Sequence, residues 1–345
     1  MTHKIFATAA LAFGLVPAAV QAQPQPRTFF KNNVKLEDSD IQKIEQGQVV
    51  TKVLESGDKS LGMLVFGAVY VDAPVPKFAT VVKDIHGLLQ NKVYLQVQPF
   101  SLIGVPPKAA DFERLALDKK DIDELKGCKA GDCDIQVMNV AELQKQVNWQ
   151  AADRDAQVNK VVRQTILQGM ETYMREGLKG LGSYRDRQKP FNLYEATKSM
   201  IDSSYYLPQD KAGGIYRHVV DYPQSKLAGA EDLFYWEKID FGQEPTIRVN
   251  HVSLFPGGAG AVKFVVTNKQ LYASRYMRAV LQVFYCVPDT EKPGKSGFYL
   301  IEMNDSRLPD FSSLKLGIVR KVATGKAVDA TRDALQMYQT RLSGK

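Results

Sequence analysis

Few side chains in this sequence are of types that do chemistry, and their spacing narrows the choice further. Beyond the first few residues the histidines are His86, His218 and His251, far apart and outside any recognised motif. His86 closes a helical stretch, where a positive charge suits the helix dipole. His251 is the more pointed case. Alternation in the run Thr246 to Phe255 sets it with Ile247, Val249 and Phe255 on an apolar face. There it is either a buried, hydrogen-bonded structural group or an acid–base. Arg275 stands out for a similar reason. In a strand-like run from Leu271 to Val287 it shares a face with Leu271, Ala273, Met277, Ala279, Leu281 and Val283. A guanidinium held there needs an anion. That anion is a carboxylate such as Glu302 or Asp305 on the next strand, or a ligand's acidic head group; the third option is that the run is not one strand. Tyr272, Tyr276 and Tyr285 nearby are candidates to line a cavity, or are core aromatics.

The sequence holds no Gly-x-Ser-x-Gly elbow, His-Glu-x-x-His helix or calcium loop. Gly294-Lys295-Ser296 ends like a phosphate loop, but Asp289 stands where the earlier glycine is required, so it reads as a surface turn. Pro256-Gly257-Gly258-Ala259-Gly260 reads as a hairpin turn before it reads as an anion cradle. Cys128 and Cys133 flank a tight loop containing Gly131. No second Cys or His pair completes a zinc set, so a local disulfide is the reading, with half a zinc site as its rival. Cys286, in the run Val283 to Val287, reads as a small core residue. No cofactor and no metal site is expected.

The N-terminus sets the expected compartment. His3 and Lys4 precede an apolar run from Ile5 to Val20, and Val20-Gln21-Ala22 offers small residues at signal-peptidase positions. Residues 1–22 are thus expected to be a signal peptide cleaved after Ala22, giving a periplasmic or secreted protein. No later stretch has the length of a membrane span, so no transmembrane segment is expected in the mature chain. The net charge is +7, spread thinly and without basic blocks interleaved with aromatics. That pattern argues against nucleic acid as a partner. It leaves open a peripheral contact with anionic lipid or a plain solvated surface.

The elements that must position these residues follow from hydrophobic period. Residues 23–50 read as a leader, flexible from Gln23 to Asn33 and helical from Asp38 to Gln46. Leu61 to Val71 reads as a buried strand. A helix follows with Pro76 in its first turn and Phe78, Val81, Val82, Ile85 and Leu89 as its apolar stripe. Val93 to Phe100 is strand-like. From Pro106 the texture turns helical, with Asp153 to Tyr184 as the longest piece, up to about Trp236. A sheet is expected from Thr246 to Met303. The chain ends on a helix, Lys326 to Leu342, whose stripe is Val328, Thr331, Leu335, Tyr338 and Leu342. Ala327, Ala330 and Ala334 widen that stripe with small side chains.

Two stretches carry a family likeness. Phe66-Gly67-Ala68-Val69-Tyr70-Val71-Asp72-Ala73-Pro74, leading into a helix with Val82-Lys83-Asp84, resembles the opening strand and helix of the START-like superfamily. Leu308-Pro309 through Gly325 into the last helix resembles its closing segment. The resemblance implies a helix-grip fold of α+β class: a curved antiparallel sheet around a long C-terminal helix. Residues 51–105 and 240–345 would form that core, with a large mid-chain helical insertion over 106–239. It also implies binding of a hydrophobic or lipid-like small molecule between sheet and last helix, which, with the N-terminal reading, gives the expectation of an exported soluble binding protein. The expected ligand-facing residues are His251, Tyr272, Arg275, Tyr276, Tyr285 and Leu335. A hydrolase or cyclase on the same scaffold, using His251 or a Tyr/Asp pair as acid–base, is one alternative; a non-catalytic interaction protein, favoured by a large exposed apolar patch on Asp153 to Tyr206, is another. No catalytic residue is assigned.

Overall fold

The computed structural model describes residues 25–90, 92–101, 105–129, 133–137, 139–185, 189–203, 214–240, 242, 244–257, 262–289, 297–310 and 313–344. The expected signal peptide, the Gly294-Lys295-Ser296 turn and most of the Pro256 to Gly260 turn lie outside these residues.

Eight segments rich in β-branched and aromatic residues pair into one sheet. They are β1 (Val50–Leu54), β2 (Gly62–Val71), β3 (Tyr94–Pro99), β4 (Glu231–Ile239), β5 (Thr246–Pro256), β6 (Phe264–Ala273), β7 (Ala279–Pro288) and β8 (Phe298–Arg307). The order is β1-β2-β8-β7-β6-β5-β4-β3, and every neighbouring pair is antiparallel. β4 to β8 form a meander. β2 closes against β8 in register from Phe298↔Val71 to Arg307↔Gly62, which brings the opening strand beside the closing one.

Both faces of the sheet are covered. On one side Val69, Val71, Phe284, Cys286 and Leu300 pack with Leu335, Tyr338 and Leu342 of the C-terminal helix, Ser313–Ser343. On the other, Phe66, Val249, Tyr285 and Tyr299 pack into a larger core with the helical block. That block includes the helix Arg154–Glu176, which buries Val158, Val162, Ile166, Met170 and Tyr173. The strands carry apolar residues at successive positions because each face meets a layer of its own. The result is the expected α+β class, an antiparallel sheet with a C-terminal helix laid on it.

Several expectations need correction. The leader is not flexible where it is described: Pro26–Phe29 and Phe30–Val34 are helical, and Phe29 and Phe30 are buried against Phe66. The helical segment stops before 239, because Glu231–Ile239 is a strand of the sheet, and β1 was not foreseen. The helix expected over Asp153 to Tyr184 breaks at Gly177, whose φ is 71°. The run from Leu271 to Val287 is two strands joined by a turn over residues 274–278. Tyr276 there takes a positive φ of 64°. The last helix starts well before Lys326.

Candidate functional site

Between the sheet and the C-terminal helix lies a cavity of about 620 Å³. Its origin is legible in side-chain size. Toward the helix C-terminus, Leu335 and Thr331 seat against Gly67 of β2, where an added Cβ would lie 2.6 Å from both side chains. That glycine lets helix and strand approach closely. On the neighbouring face of the same helix, Ala323, Ala327, Ala330 and Ala334 line the cavity. Methyl-sized groups cannot reach across to the sheet, so a hollow remains where larger residues would have filled it. Ile318 and Val322 line it too, yet are 65% and 47% exposed. They mark the mouth, beside Leu308 and Pro309. Val82, Ile85, Leu88 and Leu89 wall the far end.

The sheet floor is polar at its centre. Tyr235, Arg248, Asn268, Gln282 and Asn304 line it. Asn268 Nδ2 donates to Tyr235 Oη at 3.2 Å and to Gln282 Oε1 at 3.1 Å. Gln282 Nε2 donates to Glu302 Oε1 at 3.0 Å. Glu302 is wholly buried, two residues from Asn304 on the same side of β8. Burial pushes its carboxyl up to about 8, against the pull of the Gln282 amide. Beside this row, Arg248 Nε donates to Glu237 Oε1 at 2.7 Å. Burial works against the Arg248 charge, but Glu237 and its surroundings raise its affinity for the proton.

Of the residues singled out in the sequence, Arg275 and Tyr276 line this cavity. Arg275 answers to neither Glu302 nor Asp305. It sits in the turn after β6, and its Nη2 donates to Asp121 Oδ1 and Glu124 Oε2, each at 2.6 Å. Those carboxylates come from the helix Lys119–Gly127, so the insertion is clamped to the sheet at the cavity mouth. Asp305 is taken by Arg307 Nη1 at 2.5 Å. Tyr276 Oη accepts the amide of Glu244 at 3.0 Å. Cys128 and Cys133 form the expected disulfide just beyond Lys119–Gly127.

The other four lie elsewhere. Leu335 is buried against Gly67 rather than lining the hollow. Tyr285 is core on the insertion side. Tyr272 lines a second cavity of about 360 Å³ between sheet and helical block, with its hydroxyl donating to Gln136 O at 2.8 Å. His251 faces the same side, sealed in the core. Its Nε2 lies 2.8 Å from Asp232 Oδ1, and its Nδ1 2.6 Å from Tyr173 Oη. His218 Nε2 and Ser253 Oγ reach the same Asp232 oxygen at 2.8 and 2.7 Å. Burial pushes Asp232 up, but these donors more than offset it and hold the carboxyl well below its usual range. Burial also lowers His251, to about 4.

His218, Asp232 and His251 stand close enough to bracket a metal ion. The proton positions argue otherwise. Leu227 N–H donates to His218 Nδ1 at 3.0 Å, so a neutral His218 carries its proton on Nε2 and presents N–H, not a lone pair, to Asp232. Nor is it a nucleophilic triad, since Ser253 and Asp232 both approach the same nitrogen of His251.

No family model matches the sequence, and neither does any curated protein. A solved structure does: a START superfamily protein from Mycobacterium smegmatis. It is 10% identical, covering 41% of this chain and 89% of that one, with a TM-score of 0.21. The polar floor is what sequence reading missed. Asn268, Gln282 and Glu302 are spaced over three strands, and only the register Asn268↔Gln282 and Gln282↔Asn304 brings them into one row.

Proposed function

We propose that this chain is an exported carrier that holds an apolar small molecule between its sheet and its C-terminal helix. The observation that carries the reading is the hollow of about 620 Å³ with an alanine-lined roof and a mouth at Ile318 and Val322. Its size lies within the ordinary range for small-molecule sites. Export rests on residues 1–22 alone. Among the described residues no helix is long and apolar enough to cross a membrane.

The hydrolase reading loses its main candidate, because His251 is fully buried on the opposite side of the sheet and lines neither cavity. The interaction reading called for an apolar surface on the middle helices. Among the described residues, the large exposed apolar side chains are Val53, Leu95, Val105, Ile318 and Val322, none of them there.

Native mass spectrometry of the full chain, purified from its source, tests the proposal together with titration of a fluorescent apolar probe. Ala327→Trp fills the hollow from its roof. The expected result is a bound apolar mass or saturable probe binding in the wild type, lost in the folded variant. Absence of both in the wild type, or probe binding untouched by Ala327→Trp, would overturn it.

A further inference from the structure

The wall of the larger cavity changes character along its length. Val82, Ile85, Leu88 and Leu89, with Val252 and Phe284 of the sheet, make one end apolar. Around Arg275 at the mouth the lining is charged, with Lys120, Glu124, Asp134, Glu244 and Lys326. A pocket polarised in this way takes an amphiphile tail first, and the charged rim fixes which end stays outside.

The cations of the lining are matched in all cases but one. Arg275 is held by Asp121 and Glu124, Lys120 by Glu244, and Arg248 on the floor by Glu237. Lys326 has no anionic partner among the described residues. The carboxylates beside it are engaged: Asp240 Oδ1 accepts the Gly242 amide at 2.7 Å, and Asp329 is paired with Arg332 at 3.0 Å. Although Lys326 is an exposed residue, its head group is not simply turned to water. Nζ lies 3.2 Å from where a Cβ would stand on Gly242, in the turn between β4 and β5. The lysine stem therefore crosses from the helix toward the sheet edge, and its ammonium stands over the gap between them. Along the helix, Lys326 and Tyr338 both line the cavity. Twelve residues separate them, a rise of about 18 Å, which leaves room for an extended alkyl chain.

We infer that the molecule carried is a single-chain amphiphile with an anionic head group, its tail in the hollow and its head at Lys326 Nζ. The inference rests on the carrier reading and names the head group. The rim is where an anion costs least, because it keeps part of its hydration while the tail alone is buried.

Three probes of equal chain length decide it: dodecanoate, dodecanol and dodecylamine, titrated calorimetrically below micellar concentration at pH 7 into wild type, Lys326→Gln and Lys326→Glu. The substituted side chain is exposed, so both variants should fold, which circular dichroism checks. Lys326→Gln should weaken dodecanoate by about fivefold, the scale of a partly solvated ion pair, and leave dodecanol unchanged. Lys326→Glu should weaken dodecanoate further and tighten dodecylamine, and both effects should shrink at high salt. Probes that respond alike to the two substitutions, or not at all, would overturn the head-group assignment and leave the carrier standing. Failure of the wild type to bind any of the three would overturn both.

Discussion

Glu302→Gln tests the floor without any ligand. Burial holds the Glu302 carboxyl near 8, against an ordinary 4.5. A folded-state value above the unfolded one means that the native protein binds the extra proton. Its contribution is complete at acid pH below the unfolded value and is lost as pH climbs toward 8. At about 1.36 kcal/mol per unit, the loss between pH 5 and pH 9 is about 4 kcal/mol. Glutamine keeps the shape and an acceptor for Gln282 but cannot ionise, so it escapes that loss. Urea unfolding of both proteins at intervals from pH 5 to pH 9 gives the comparison. The gap in unfolding free energy should shift in favour of the variant by about 4 kcal/mol across the series, whatever its sign at pH 5. Parallel pH profiles for the two proteins would refute the reasoning, since they would mean that the carboxyl titrates alike in the folded and unfolded chain.

Three further outcomes are expected. Gly67→Ala places a methyl 2.6 Å from Leu335 and Thr331 and should destabilise the protein by about 1–3 kcal/mol in urea while weakening probe binding. An unchanged midpoint would show that the helix does not seat there. Asp121→Asn removes one carboxylate from the buried Arg275 clamp and should cost about 3 kcal/mol, read by the same titration. Replacement without loss would mean that Glu124 alone serves the guanidinium. Asp232 is held low by its donors and His251 is lowered to about 4 from 6.5. Both contributions are present near neutrality and lost as pH falls, His251's from 6.5 toward 4 and Asp232's below its unfolded value. The stability advantage of wild type over His251→Gln should therefore shrink between pH 7 and pH 4. A constant gap would count against the charged network.

The architecture was legible where periodicity is strict. The stripe Thr331, Leu335, Tyr338 and Leu342 is buried as read, and the alanines beside it line the hollow. The strand from Leu61 to Val71 needed only its ends adjusted, while the amphipathic helix after it breaks at Asp84 into Val75–Lys83 and Ile85–Leu88. Reading failed where a turn has no glycine or proline to announce it. Ser274-Arg275-Tyr276 gives no such signal, so two strands looked like one and Arg275 seemed to share an apolar face. β4 was hidden because Leu233-Phe234-Tyr235-Trp236 closes a largely helical region, and an aromatic run fits either kind of element. His251 was correctly placed on an apolar face, but a strand's alternation does not say which layer covers that face. The amide row was invisible for a related reason: its members are neighbours only through cross-strand register, which no local pattern encodes.

The sheet has its larger core behind it and its larger hollow in front. In most folds of one layer on another, a void large enough for a guest comes out of the same packing that keeps the chain folded. Here the helical block buries the larger core on its own side, so changes to the roof alanines need not endanger the whole. Such a division of labour would let a lineage exchange one guest for another through a few front-side substitutions while the back stays constant.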